Sequence, residues 1–352
     1  MSRKLATIQK ITELNPIIGA DNIEVASVLG WKTVVRKNEF SVGQMIVYCE
    51  VDSFLPIRDE FEFLRKGCYK KGHLGEGFRI KTIRLRGQIS QGVCFPISLF
   101  SKSFPDDPSE LKEGDDVTDV LGIQKYFPQI PANVAGEVKG SFPSFIPKTD
   151  ETRVQVLQEV LTRHVASVCY VTEKIDGCSV TYYYKGGEFG VCSRGLELKE
   201  TAENIFWKMA REMRIEEKLK VKGKNIALQG EVFGMGIQKN NLKIPENKVA
   251  FFNVFDIDKY EYFSFESFIE FMRLLELQTV PVLTTNFYLT DDINTLVEMA
   301  KGFSVFNNKV YREGIVIRPV TESFDMQMSQ GFGNGRLSFK VVNPEYLLKF
   351  EE

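Results

Sequence analysis

The 352-residue chain has only two histidines, His73 and His164, and two tryptophans. Its six cysteines, Cys49, Cys68, Cys94, Cys169, Cys178 and Cys192, include no C-x-x-C pair, and nothing joins them to histidine at metal spacing. A zinc site is therefore not expected, and the thiols are read as reduced and mostly buried in an intracellular protein. Long apolar runs are also missing. The start "MSRKLATIQK" lacks the stretch a signal peptide needs, and no segment approaches a membrane span. The expectation is a soluble intracellular protein without a membrane partner, its compartment open. Net charge is nearly absent too: 45 basic residues face 47 acidic ones, a formal −2. Bulk charge thus does not announce a nucleic-acid binder, and any such face must come from local clustering. There is no internal repeat, low-complexity segment or coiled-coil pattern, so a monomer is expected.

What is present divides into two blocks. Residues 4–125 carry short alternating or Val/Ile-rich runs, "TVVRK", "QMIVYCEV", "FRIKTIRLRG" and "GVCFPI", separated by turn signals. Several short strands with turns predict a small closed β-barrel over 1–125. Residues 126–148 are rich in Pro and Gly and read as a surface linker. From 149 to 352 the pattern is α+β with antiparallel sheet dominant. Asp150 is placed to cap a helix whose apolar face is Val154, Leu157, Val160 and Leu161. Strands follow at 168–174, 178–184 and 188–193, the last two joined by the hairpin signal "KGGE". A helix is expected over 197–214, strands over 225–233 and 249–257, and helices capped by Ser264 and Thr290. Strands "GIVIRPV" and "LSFKVVN" and a helix "PEYLLKF" close the chain.

The stretch "YVTEKIDGCSVTYYY" places Lys174, Asp176 and Gly177 as K-x-D-G beside a strand. Alone this is weak, because a lysine on a strand is usually solvated. "SRG" follows with Arg194, "LQGEVFGMG" with Glu231, "FFNVFDI" over 251–257, "EGIVIRP" with Glu313, and "LSFKVVN" with Lys340. Each alone also has an ordinary structural reading: a turn, a solvated strand, a core strand. Together they suit the transfer of a nucleotide to a lysine. An amine attacks phosphorus only when neutral, and its free pKa is about 10.4. Desolvation and neighbouring positive charge lower it, and Arg194, Lys340 and a divalent metal are candidates to supply that charge. The same cations would offset triphosphate charge. Glu231, Glu313 and Asp176 offer hard oxygens suited to Mg²⁺ or Mn²⁺. Gly177 is expected to let backbone approach the ligand, and an aromatic of 251–257 to stack on a purine.

In these motifs the second block resembles the nucleotidyltransferase fold of ATP-dependent polynucleotide ligases and mRNA capping enzymes. The resemblance makes Lys174 of "EKIDG" the nucleophile that carries AMP, within a nucleotide-binding set that includes Glu173 and Gly177. It places Arg194 at ribose or the end-joining phosphate, Glu231 at ribose or a metal, Phe255 on adenine, Glu313 at the metal and Lys340 on the α-phosphate. Many relatives carry K-x-K in the last motif. Here Ser338 stands at the first lysine's place, which turns attention to Arg336 for phosphate contacts.

Domain order separates the relatives. DNA ligases and capping enzymes place an OB barrel after this domain, but only 12 residues follow Lys340. Residues 16–56 and 78–97 instead resemble the N-terminal OB module of a distinct RNA ligase family, and "PKTDETRVQ" resembles its lead into the catalytic domain. The resemblance implies an N-terminal OB-type barrel followed by an antiparallel-sheet nucleotidyltransferase domain (ATP-grasp-like) with flanking helices. It implies sealing of 3′-OH and 5′-phosphate ends, at nicks in RNA or RNA/DNA duplex whose 3′-OH strand is RNA, with ATP and Mg²⁺ or Mn²⁺. Arg153, expected on the first helical turn after the linker, could reach a triphosphate tail. In the barrel, Arg79, Lys81, Arg84 and Arg86, and the loop "RKGCYKKGH" with Tyr69, suit phosphate contacts and stacking as well as they suit a solvated surface. Two alternatives stay open: a guanylyltransferase that caps RNA, and a nucleic-acid-binding relative without catalysis.

Overall fold

Alternation and one bulge organise the first block in the computed structural model, which describes residues 3–104, 110–127, 135–330 and 335–350. Strand Trp31–Arg36 buries Trp31, Thr33 and Val35 and leaves the residues between them more open, the two-residue period of a half-buried strand. Strand Ala6–Pro16 is longer and shifts register between Ile11 and Glu13. Ala6–Lys10 pair with Met45–Cys49, while Ile11 and, beyond the shift, Glu13–Pro16 pair with Ile23–Val28. One strand thus serves two partners by bending at an extra residue. The five-stranded sheet runs Val93–Pro96, Met45–Cys49, Ala6–Pro16, Ile23–Val28, Trp31–Arg36. A four-stranded sheet of Gln124–Lys125, Ser53–Pro56, Gly75–Arg79 and Tyr69–Gly72 completes this OB-type half. Phe61, Phe95 and Phe100 meet in its core with ring centroids 5.3–5.7 Å apart. Each buried phenyl contributes about 2 kcal/mol by its removal from water.

The basic run "FRIKTIRLRG" is two strands, Gly75–Arg79 and Ile83–Leu85, so no single alternation passes through it. Arg79 is buried, its guanidinium 4.2 Å from the Tyr126 ring centre. Arg84 and Arg86 are exposed, and Arg86 sits in the turn with φ +50°.

Contacts divide the chain into two compact units. One holds Ser2–Gln129, Gln155–Gln158 and Leu347–Glu352, the other Ile130–Val154 and Glu159–Tyr346. The second unit contains two sheets. The seven-stranded sheet is antiparallel throughout, in the order Val138–Ser141, Leu196–Leu198, Glu188–Cys192, Cys178–Lys185, Ile226–Phe233, Lys248–Asp256, Glu261–Tyr262. The five-stranded sheet runs Thr152–Arg153, Phe339–Val342, Gly314–Pro319, Val168–Lys174, Val282–Tyr288. Gly186 and Gly187 of "KGGE" have φ of +58° and +91°, as a two-residue hairpin requires.

Several local expectations change. Part of the expected linker, Val138–Ser141, is an edge strand on Leu196–Leu198; residues 128–134 lie outside the described ones. The helix expected over 197–214 starts at Ile205, because Leu196–Leu198 joins the sheet and Asn204 caps Phe206 and Trp207. Its buried face, Phe206, Trp207 and Met209, packs in one core with Tyr182, Leu228 and Phe251. Ser264 caps Phe265–Leu274 as expected. Ile293–Ala300 is capped by Asp292 rather than Thr290, which accepts from the Asp292 amide instead. Asp150 caps no helix: 154–156 is a 3-10 turn and the helix spans Gln158–Arg163.

Candidate active site

Lys174 ends strand Val168–Lys174 opposite Gly314. Glu313 immediately precedes that glycine, just outside the strand, where its side chain turns to meet the lysine. Lys174 Nζ donates to Glu313 Oε2 at 2.7 Å. A Cβ on Gly314 would lie 2.2 Å from the Val341 carbonyl oxygen, so glycine is what lets strand Phe339–Val342 close beside it. That strand carries Lys340, whose charge acts on Glu313. Glu231 comes from the other sheet, opposite Ser179 on Cys178–Lys185. Asp176 lies between, in the turn that carries the chain from one sheet to the other. Its Oδ2 accepts from Tyr346 Oη at 2.5 Å and Asn241 Nδ2 at 3.0 Å.

The electrostatics are those of three carboxylates around one lysine. Burial alone would lower the Lys174 pKa. Glu313, Glu231 and Asp176 outweigh it and hold the ammonium charged, above its ordinary value. The expected depression is absent because the groups that act most strongly on the amine are carboxylates, not cations. Glu231 is pushed up to about 8, by burial first and then by Glu313 and Asp176, against the pull of Lys174. Glu313 is also raised, by burial and by Asp176. Among the described residues no group of three or more His, Cys, Asp or Glu is arranged to hold a metal ion directly. The carboxylates are nevertheless hard oxygen donors that resist ionising together, and added positive charge would relieve this. That fits a hydrated divalent cation whose shell is completed by water or phosphate.

Arg194 stands in the turn between Glu188–Cys192 and Leu196–Leu198, half exposed and paired with Asp150. Arg153 is not helical. It lies in the short strand Thr152–Arg153, parallel to Phe339–Val342 and opposite Lys340. Both therefore border the lysine-bearing sheet or its neighbour, by a route the helical reading did not contain.

Three expectations need correction, and Gly177 has a further reason to be glycine. Phe255 is fully buried in a core with Ile146, Tyr183 and Ala227, and edge-on to Tyr260 and Tyr262, so it has no face for a base. Phe252, in the same stretch, is placed differently. A register shift between Gln229 and Gly230 leaves it outside the regular pairing and half-buried, near Arg318 at 5.8 Å from the ring centre. Nothing in "FFNVFDI" marks that bulge. Glu173 is buried with its carboxylate taken by Ser304 Oγ and the Val305 amide, so it holds a loop. Gly177 is needed by the protein's own backbone: a Cβ would lie 2.4 Å from the Val232 carbonyl oxygen. Arg336 is buried, forked onto Glu322, donating to Asn253 and stacked 4.0 Å from the Tyr262 ring centre, so it reaches no phosphate. Ser338 is buried as well, between Arg318 Nε and Glu151 Oε1, each 2.8 Å away.

Both halves of the chain match known proteins. A family model for an OB-fold domain matches residues 5–97, and one for RNA ligase matches residues 167–342. No curated protein matches the sequence. Among solved structures, the chain is similar to Naegleria gruberi RNA ligase. A point mutant with AMP and Mn is 37% identical, with 99% of each chain covered and a TM-score of 0.88. Another mutant with ATP and Mn gives the same identity, coverage and TM-score. The form with PPi is 38% identical over 99% of each chain, TM-score 0.88. The lysine and its carboxylates, the OB-type first half and this near full-length likeness agree: the chain belongs to the RNA ligase family, enzymes that form phosphodiester bonds between nucleic-acid ends.

Proposed function

We propose that this chain is an ATP-dependent ligase that joins a 3′-OH to a 5′-phosphate, at nicks whose 3′-OH strand is RNA, acting as a monomer through a lysyl-AMP on Lys174. The observation that carries this reading is Lys174 held 2.7 Å from Glu313, with Glu231, Asp176 and Lys340 in electrostatic reach. The N. gruberi relative has been seen with ATP, AMP, Mn and PPi. Those are the substrate, the transferred group, a divalent ion and the leaving group of such a reaction.

In the resting site Lys174 is an ammonium. Glu313, its carboxyl already raised, accepts the proton as the nucleotide arrives. A divalent cation bound near Glu231, Glu313 and Asp176 would offset phosphate charge and favour the neutral amine. Lys174 Nζ then bonds to the α-phosphorus, and the bond to pyrophosphate breaks. Lys340 and Arg194 are the cations for the α-phosphate and the incoming end, and Arg194 must leave Asp150 to serve. Phe252 offers a ring face for adenine. AMP passes to the 5′-phosphate, which frees Lys174. The 3′-OH attacks that activated phosphate, and AMP leaves.

The test is covalent labelling with α-³²P-ATP and Mn²⁺, resolved on a denaturing gel. Wild type should label and Lys174→Ala should not. Phe252→Ala should need about tenfold more ATP, while Phe255→Ala should act on stability. Labelling by GTP alone would replace the ligase reading with capping. Labelling by neither nucleotide would leave a binding protein. Sealing of a nicked duplex with an RNA or a DNA 3′-OH strand then decides the substrate.

A further inference from the structure

Asp176 is held by more than its own turn. Tyr346 Oη and Asn241 Nδ2 both donate to its Oδ2, and Asn241 Nδ2 also lies 2.9 Å from Tyr346 Oη, closing a triangle. Tyr346 is buried near the start of helix Pro344–Phe350. That helix is fixed to the site by Asn343, which is fully buried. The Asn343 amide donates to the Glu313 carbonyl at 2.8 Å, its Nδ2 donates to the Arg312 carbonyl, and its Oδ1 accepts from the Glu345 amide. The backbone beside Glu313 and the phenol on Asp176 are thus parts of one rigid connection.

Asn241 comes from the loop after strand Ile226–Phe233. That loop is shaped for presentation rather than slack. Gln238, Asn240 and Lys243 have φ between +46° and +55°. The Asn240 side chain bridges both the amide and the carbonyl of Ile244, and Asn307 Nδ2 binds the Leu242 carbonyl. Left-handed backbone at three non-glycine residues costs free energy that surrounding contacts must hold in place. The same loop sends Gln238 Nε2 to the Gly177 carbonyl. Asp176 and Gly177 are therefore gripped from one loop, and Asp176 from the terminal helix as well.

We propose that Tyr346 and Asn241 are positioning residues for Asp176: by taking Oδ2 they fix the carboxylate's rotamer and leave Oδ1 as the oxygen that meets a hydrated divalent cation beside Lys174. This rests on the function proposed above. A carboxylate with both donors on one oxygen cannot swing to present that oxygen without breaking two hydrogen bonds. Outer partners of this kind typically change metal affinity or activity by about 10–100-fold when removed.

The test uses the full-length protein. Mn²⁺ binding in the presence of α,β-methylene-ATP, which cannot be attacked to release pyrophosphate, is followed by loss of the free-Mn²⁺ EPR signal. Tyr346→Phe keeps the ring and removes only the hydroxyl. Asn241→Leu keeps the volume and removes both donors. Each is expected to weaken Mn²⁺ binding about tenfold. Each should also raise by a similar factor the Mn²⁺ concentration that half-saturates Lys174 labelling. Wild-type Mn²⁺ midpoints in both variants would overturn the proposal. So would a lower melting temperature with unchanged midpoints, which would assign the triangle to folding alone. Labelling that survives Lys174→Ala would instead remove the function reading on which the proposal stands.

Discussion

Lys174 shows how one side chain's chemistry depends on its present neighbours. Its partners are acids, which hold it charged, and an ammonium has no lone pair with which to attack. The acids bear the complementary strain. Glu231 has its pKa raised from 4.5 to about 8. The folded protein therefore keeps a proton that the unfolded chain releases across that window, and this residue's contribution to stability falls as pH rises through it. Glu231→Gln carries no such proton. Its melting temperature relative to wild type should climb between pH about 5 and about 8 and level off above that. A flat difference across this range would mean that Glu231 is ionised in the folded protein throughout. K-x-D-G and the later Glu and Lys motifs make this set legible from residue types and spacing. The sign of the lysine's shift is not legible there, because it depends on which charges actually lie within reach. The place of Phe255 is illegible for a related reason: "FFNVFDI" offers three phenylalanines, and only the bulge opposite Gln229 and Gly230 decides which ring leaves the core.

Among the elements, the segment 147–153 is the least obvious in sequence and among the most constrained in space. The Pro147 carbonyl accepts from Gln229, Thr149 meets Ser179, Asp150 holds Arg194, and Glu151 binds Arg318 and Ser338. Thr152 and Arg153 then add a strand to Phe339–Val342. A helix cap was the natural reading of Asp150 from local pattern, since the apolar spacing beyond it is helical. Long-range pairing overrode that preference. This explains the departure at Ser338. The position is not open to phosphate but buried against an Arg318–Glu151 ion pair whose arginine is 2% exposed. Ser338→Lys would set an ammonium against that guanidinium. It is expected to cost about 3 kcal/mol or more in urea unfolding, without faster lysine labelling. A variant as stable as wild type that labels faster would show that a second lysine here can reach the nucleotide.

Over the whole molecule, the six thiols are free and placed by the packing of both halves. Cys49, Cys94, Cys169 and Cys192 are buried, while Cys68 and Cys178 are partly open. Burial raises every one of the six above the ordinary thiol value. Thiolate, not thiol, reacts with disulfide reagents. At neutral pH the native protein should therefore release at most two equivalents of chromophore, slowly, to a reagent such as dithionitrobenzoate. The guanidinium-unfolded chain should release six at once. Fast reaction of four or more in the native state would contradict the packing described for both units. No described helix is long and apolar enough to cross a membrane.

Sequence by itself determined the strand content, the two-part organisation of motifs, the hairpin at "KGGE" and the grouping of Lys174 with Glu313, Glu231 and Asp176. These follow from local periodicity, turn chemistry and the side-chain types that phosphoryl transfer needs. Tertiary structure alone decided the rest. It turned a linker into an edge strand, moved Asp150 from a helix cap to Arg194, put Phe255 in the core and Phe252 at its margin, and tied Asp176 to Tyr346 across 170 positions of chain. Register, bulges and long-range hydrogen bonds carry that information, and they arise only when segments distant in sequence compete for the same partners.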